Sequence, residues 1–297
     1  MDVALLYLFN TILLPLTITL FAFGGLTRLR VSWASMGALA LGFIVAYAAI
    51  FALNGLWGTD ATRWVIWGTL TMGLALELSP RFLVKISPLL VITLGLYLCL
   101  SPLAGMWREG LVKPLLNEWV LGAWLIGGFA CLVLITQLHL EHKDVEDSAE
   151  NVSPAYFASL ALSYAIAAPC IGLSGSASIA QLLGALGVVT ASLGIISLWK
   201  SLPLSISAYL SAYMALFLTV VYAHFYLTPS FSHAVASLLT MSPLAATLTY
   251  RWHATPMKRV IMSVLITAPL LLLGLGLIAA HELDKAEAET DEFGVSY

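Results

Sequence analysis

Charged side chains are scarce in this sequence. Only 10% of its 297 residues are Asp, Glu, Lys or Arg, whereas 60% are hydrophobic and the mean hydropathy is +0.95. A water-soluble domain carries about 25% charged residues. Water cannot solvate a surface with so few charges, so a soluble fold is excluded and the surface must face lipid. Cysteine is nearly absent. Cys99, Cys131 and Cys170 each fall inside an apolar run, and no CxxC pair occurs. That excludes a disulfide framework and a thiol metal or redox motif. Basic clusters are also missing: the net charge is -3 and the 13 Lys and Arg are scattered, which leaves no surface for nucleic acid. HExxH, GxSxG and the P-loop do not occur, and no carboxylate pair falls at bilayer depth. The serine-containing turn Gly172-Leu173-Ser174-Gly175-Ser176 has no histidine at similar depth. The expectation is a non-enzyme without a cofactor or bound metal.

What is present is a succession of long apolar runs: 3–26, 32–57, 64–79, 86–106, 119–138, 154–173, 177–199, 203–226, 231–250 and 260–281. In hydrocarbon a single segment must satisfy its own backbone hydrogen bonds, so each run reads as a helix. The N-terminus lacks a basic region and a small-residue cleavage site, so its run reads as the first span. The fold expected is all-α, a polytopic transmembrane bundle of about ten spans. With the N-terminus outside, nine basic residues lie in the inner loops (Arg28, Arg30, Arg81, Lys85, Lys143, Lys200, Arg251, Lys258 and Arg259). Four lie outside: Arg63, Arg108, Lys113 and Lys285. The positive-inside rule therefore places both termini outside. Tryptophan agrees: Trp33, Trp199 and Trp252 fall at inner ends, and Trp57, Trp64, Trp67, Trp107 and Trp119 at outer ends. These positions form the aromatic belts of a membrane protein.

The longest inner loop divides the chain into a first five-helix half (1–140), an acidic cytoplasmic loop (141–153), a second five-helix half (154–281) and an acidic tail (282–297) expected to be disordered. Residues 107–118 alternate apolar and charged positions, as in a short surface helix. Halves with an odd number of spans are inverted relative to each other if they share a fold. Leu78-Ser79-Pro80-Arg81-Phe82 and Leu227-Thr228-Pro229-Ser230-Phe231 match at an offset of 149, as do Leu89-Leu90 and Leu238-Leu239. Small residues line the second run at 35, 38, 42, 46 and 49, and the seventh at 180, 184, 187, 191 and 194. Such stripes let backbones approach closely, and ordinary helix packing uses them as well.

The fourth run contains Ser101-Pro102-Leu103-Ala104 and the ninth Ser242-Pro243-Leu244-Ala245. A proline removes a backbone donor and frees the carbonyl one turn earlier. Interruptions at corresponding positions of two halves point to a transporter site, although a simple kink has the same signature. In architecture alone the plan resembles the bile-acid symporter and auxin-efflux carrier group, which has inverted five-helix halves with the fourth and ninth helices broken. It departs from them in holding no Asn, Asp, Glu or Gln in its own fourth and ninth runs.

The expected function is a carrier for a small neutral or weakly polar solute, as a multi-pass protein of the plasma membrane. The alternative is a non-catalytic scaffold or an integral subunit of a larger membrane complex. Partners are then the lipid bilayer, a small-molecule solute and other membrane proteins. Solute contacts are expected at Ser101, Pro102, Ser242 and Pro243, with stronger polar contacts from Glu77 and Gln181. Glu77 is the clearest ionisable residue inside a run; snorkelling at the headgroup boundary is its plainer reading, and Arg81 lies four positions on. Two weaker histidine groupings, His139/Glu141/His142 and His224/His233/His281, carry no ligand set that spacing fixes.

Overall fold

The computed structural model describes residues 8–29, 33–55, 62–78, 152–200, 202, 204–226, 232–249 and 255–292. Its helices are α1 (Leu14–Arg28), α2 (Ala34–Gly55), α3 (Thr62–Leu78), α4 (Pro154–Leu173), α5 (Ala177–Lys200), α6 (Ile206–Tyr226), α7 (His233–Met241) and α8 (Pro256–Glu292). A π-turn, Phe9–Leu13, leads into α1. A 3₁₀ segment, Ser242–Thr249, continues α7. No strand occurs among the described residues. Eight of the ten apolar runs are therefore helical where described. The fourth and fifth runs, the surface segment 107–118 and most of the central loop lie outside the described residues.

Among the described residues six helices are long and apolar enough to cross a membrane: α1 with its π-turn, α2, α4, α5, α6 and α8. The chain is a membrane-embedded, multi-pass helical protein. α3 has 17 residues and α7 only nine. Together α7 and its 3₁₀ extension reach roughly 30 Å at about 1.5 and 2.0 Å per residue, which matches the hydrocarbon thickness.

Local chemistry sets the helix ends. Ser153 caps α4, accepting from the Ala155 amide at 3.4 Å, and Pro154 occupies the first helical position, where no donor is needed. Ser232 caps α7 through the Val235 amide at 3.3 Å. Between α4 and α5 the chain reverses at Gly175, whose φ of 105° favours glycine. The Ser176 amide then donates to Ile171 O at 3.2 Å and closes the turn. Pro15 cannot donate to Thr11, and the turn before it widens to π geometry.

α6 is the axis of the core. It packs against α3, α4, α5 and α7, and 89% of its membrane-length stretch is buried. α4 packs against α5 and α8, α1 against α2, and α2 against α5. Glycines of the small stripes in the second and seventh runs meet neighbouring helices. At Gly42 of α2 a Cβ would press on Thr19 of α1 and lie 2.8 Å from Val189 of α5. On α5, Gly187 and Gly194 face α4, where a Cβ would lie 2.9 Å from Tyr164 Cβ and 3.2 Å from Phe157 Cβ. Gly184 belongs to the same stripe but has only Thr11 within 4.0 Å, so it does not mediate close approach.

The described part of the acidic tail is helical. α8 continues through Glu292, and Glu282–Glu292 holds four Glu and two Ala, which are strong helix formers. Propagating an existing helix adds one bond per residue and avoids the cost of nucleation, so no apolar face is needed to extend it.

Candidate functional site

The interruption predicted in the ninth run is present, and it is buried. α7 ends at Met241, and the next eight residues wind as 3₁₀ helix, longer than such segments usually run. The cause is Pro243, which cannot donate to Leu239 O. The Ser242 hydroxyl reaches that carbonyl instead, at 3.4 Å. Ser242 is 1% exposed and Thr240 0%, so polar groups freed here have no water and must find partners in the protein.

The partners come from α4 and α6. Ser163 Oγ and Ser242 Oγ share a hydrogen bond of 3.1 Å. One turn earlier on α4, Ser159 donates to Pro243 O at 3.4 Å, and also to Tyr156 O at 3.0 Å. From α6 the Tyr213 hydroxyl donates to Thr240 O at 2.9 Å. Tyr164 of α4 donates in turn to Ala212 O of α6 at 2.6 Å, tying those two helices together. An aromatic group packs behind these contacts: Tyr209 lies 5.4 Å from Tyr156, 5.8 Å from Phe157 and 6.4 Å from Tyr213, centroid to centroid. The Tyr209 hydroxyl is buried and has no hydrogen-bond partner among the described residues. Among the described residues the break thus gathers hydroxyls, carbonyls and aromatic rings.

A second polar group lies on the other side of α6. Ser35 at the start of α2 donates to Ser205 Oγ at 2.9 Å and accepts from the Ser205 amide at 3.0 Å. Ser205 Oγ lies 2.8 Å from Ser207 Oγ, and Ser207 donates to the Glu77 carboxylate. Ser205 also caps α6 through the Ala208 amide at 3.3 Å. The group joins α2, α3 and α6 at one end of the bundle, and Glu77 sits where the positive end of the α6 dipole favours an anion.

Of the expected site residues, Ser242 and Pro243 lie at the buried break, and Glu77 lies in the α3–α6 seam. Gln181 is half-buried on α5, which makes no substantial contact with the interrupted segment. The structure therefore does not gather Glu77, Gln181 and Ser242 into one place. Ser101 and Pro102 lie outside the described residues, as do His139, Glu141 and His142. His224 and His233 come together with ring centroids 4.3 Å apart, while His281 is exposed on α8. No three His, Cys, Asp or Glu side chains form a metal cluster among the described residues. Sequence reasoning missed Ser159, Ser163, Tyr164 and Tyr213. The only signal was Ser159 and Ser163 at helical spacing, which is common in membrane helices. No family model, curated protein or solved structure matches the chain.

Proposed function

We propose that the chain is a carrier for a small neutral or weakly polar solute, working in the plasma membrane with both termini outside. The observation that carries this reading is the buried break at Ser242–Pro243, where freed carbonyls and the hydroxyls of Ser163, Ser242 and Tyr213 converge. Irregular backbone at membrane depth persists where protein or a cavity satisfies it, and interrupted helices are where carriers place their solutes. The absence of charge among these contacts favours neutral solutes, since an unpaired charge at this depth is costly. Inverted halves would add support. Numbering the apolar runs, such symmetry maps the second run onto the seventh and the third onto the eighth. Both pairs, α2 with α5 and α3 with α6, are in contact.

The test needs no knowledge of the solute. In a chain with Cys99, Cys131 and Cys170 replaced by Ala, single cysteines at Ser163 and Ser242 are treated with a charged, membrane-impermeant thiosulfonate from each side. A carrier passes water to its central site, so both positions react in intact membranes. If neither reacts from either side, while the denatured chain does, the carrier reading is wrong. The same reagent at Ser148→Cys and Ser296→Cys reads topology, and modification of both from one side overturns the orientation. The second reading, a scaffold or a subunit of a larger complex, draws on the burial of α6 on every face, as in a bundle packed throughout.

A further inference from the structure

The Glu77 group has a feature that helix packing alone leaves unexplained. Glu77 and Gly73 are one turn apart on α3, and Ser207 and Ser211 are one turn apart on α6. Ser207 meets Glu77, and Ser211 Oγ lies against Gly73, where a Cβ would collide with it. The two helices therefore run antiparallel, with these pairs as successive layers of one seam. Ser211 is 0% exposed, and its hydroxyl has no partner among the described residues. No cationic side chain pairs with Glu77 among the described residues either; its hydrogen-bond partner there is Ser207. Among the described residues the seam thus holds a carboxylate bonded to Ser207 and, about 5.4 Å deeper, a hydroxyl without a partner. The Glu77 carboxylate is half-buried, and the fully buried Ser211 hydroxyl loses roughly 1–3 kcal/mol without a partner.

We infer that Glu77, Ser207 and Ser211 form a binding site for a monovalent cation, Na⁺, in the α3–α6 seam, with Ser205 and Ser35 holding Ser207 in place. A hard cation takes carboxylate and hydroxyl oxygens at about 2.3–2.6 Å, so one ion bridges oxygens roughly 5 Å apart. That spacing fits the two layers. The ion supplies the countercharge for Glu77 and the missing partner for Ser211. A proton on Glu77 would cancel the charge but leave Ser211 orphaned, so Ser211 distinguishes the two. Gly73 lets the Ser211 hydroxyl reach the seam: a Cβ there would collide with it and with the Met36 side chain. The role of this ion as the coupling ion rests on the carrier reading; its binding does not.

The experiment is thermal melting of the purified full chain in detergent, at constant pH and ionic strength, in NaCl, KCl or choline chloride. Na⁺ is expected to raise the melting temperature saturably above the other two salts. Glu77→Gln should abolish that increment. Ser211→Ala, which removes one oxygen and adds no bulk, should weaken the apparent Na⁺ affinity about tenfold while melting normally in choline. Equal melting of the parent in all three salts overturns the site. So does an increment that survives Glu77→Gln, or a stability that follows pH and ignores Na⁺, which would make a proton the countercharge. A Na⁺ increment together with unreactive cysteines at Ser163 and Ser242 would leave the cation site standing and remove the carrier.

Discussion

α6 and α8 are both long apolar helices, and the structure treats them in opposite ways. α8 is the more apolar of the two, yet only 28% of its membrane-length stretch is buried, against 89% for α6. Leu265, Leu272 and Leu273 of α8 are more than half exposed. α6 instead places Ser207, Ser211, Tyr209, Tyr213 and Thr219 among its buried residues. In water the more apolar helix would be the interior one. In lipid, apolar surface gains nothing by leaving the hydrocarbon, whereas hydroxyls gain partners by turning inward. Polar residues in an apolar run therefore mark the inside of this bundle.

Truncation tests the contrast most strongly. Phe217→Ala on α6 opens a cavity at a residue 1% exposed and is expected to cost about 3–5 kcal/mol. Leu272→Ala on α8 removes a side chain 57% exposed and should stay within about 0.5 kcal/mol. Denaturant titration in mixed micelles checks both, and equal costs would mean that the outward face of α8 is covered by a partner. A smaller effect separates two glycines of one stripe. Gly187→Leu drives a side chain into α4 and should cost about 1–3 kcal/mol. Gly184→Leu meets open space and should melt within a few degrees of the parent, at about 0.5 kcal/mol or less. If the two variants melt alike, the α4–α5 contact is not set by close backbone approach.

The helix break gives the next step down. Tyr213→Phe removes the donor to Thr240 O in a buried setting and should cost about 1–2 kcal/mol. Ser163→Ala removes a hydroxyl whose partner, Ser242, keeps its bond to Leu239 O, so about 1 kcal/mol is expected. Were Ser163→Ala the more damaging of the two, the serine pair and not the tyrosine would hold the break together. The smallest effect on melting temperature among the polar segments belongs to the polar end of α8. Ala286→Gly on its extension weakens the helix locally by about 1 kcal/mol, so it should lower helical content by circular dichroism and change the melting temperature little, since Ala286 is exposed. A large fall in melting temperature would show that the acidic extension docks onto the bundle.

The break at Pro243 is legible in the sequence because its cause is covalent: proline has no amide hydrogen wherever the chain goes. Glu77 is legible for a similar reason, as a charge in an apolar run. Their surroundings are not. Ser207 lies 130 positions from Glu77, and Ser163 lies 79 positions from Ser242. Serine is ordinary in membrane helices, so neither stands out from its neighbours. Gly184 and Gly187 are indistinguishable by spacing, since both fall on the same stripe. Only the position of α4 makes one a close contact and leaves the other open.

By itself the sequence determined the solvent, the helical runs, the capping serines and the chemical weak point of the ninth run. Each follows from composition or from bonds within a few residues of one another, where chain connectivity fixes the geometry. The tertiary structure decided which apolar helix became the axis, which stripe glycines bear contact, and that the Glu77 and Ser242 groups occupy opposite sides of α6. Those outcomes depend on which helices become neighbours. In lipid the hydrophobic effect does not choose among them, and close packing and hydrogen bonds between distant segments do.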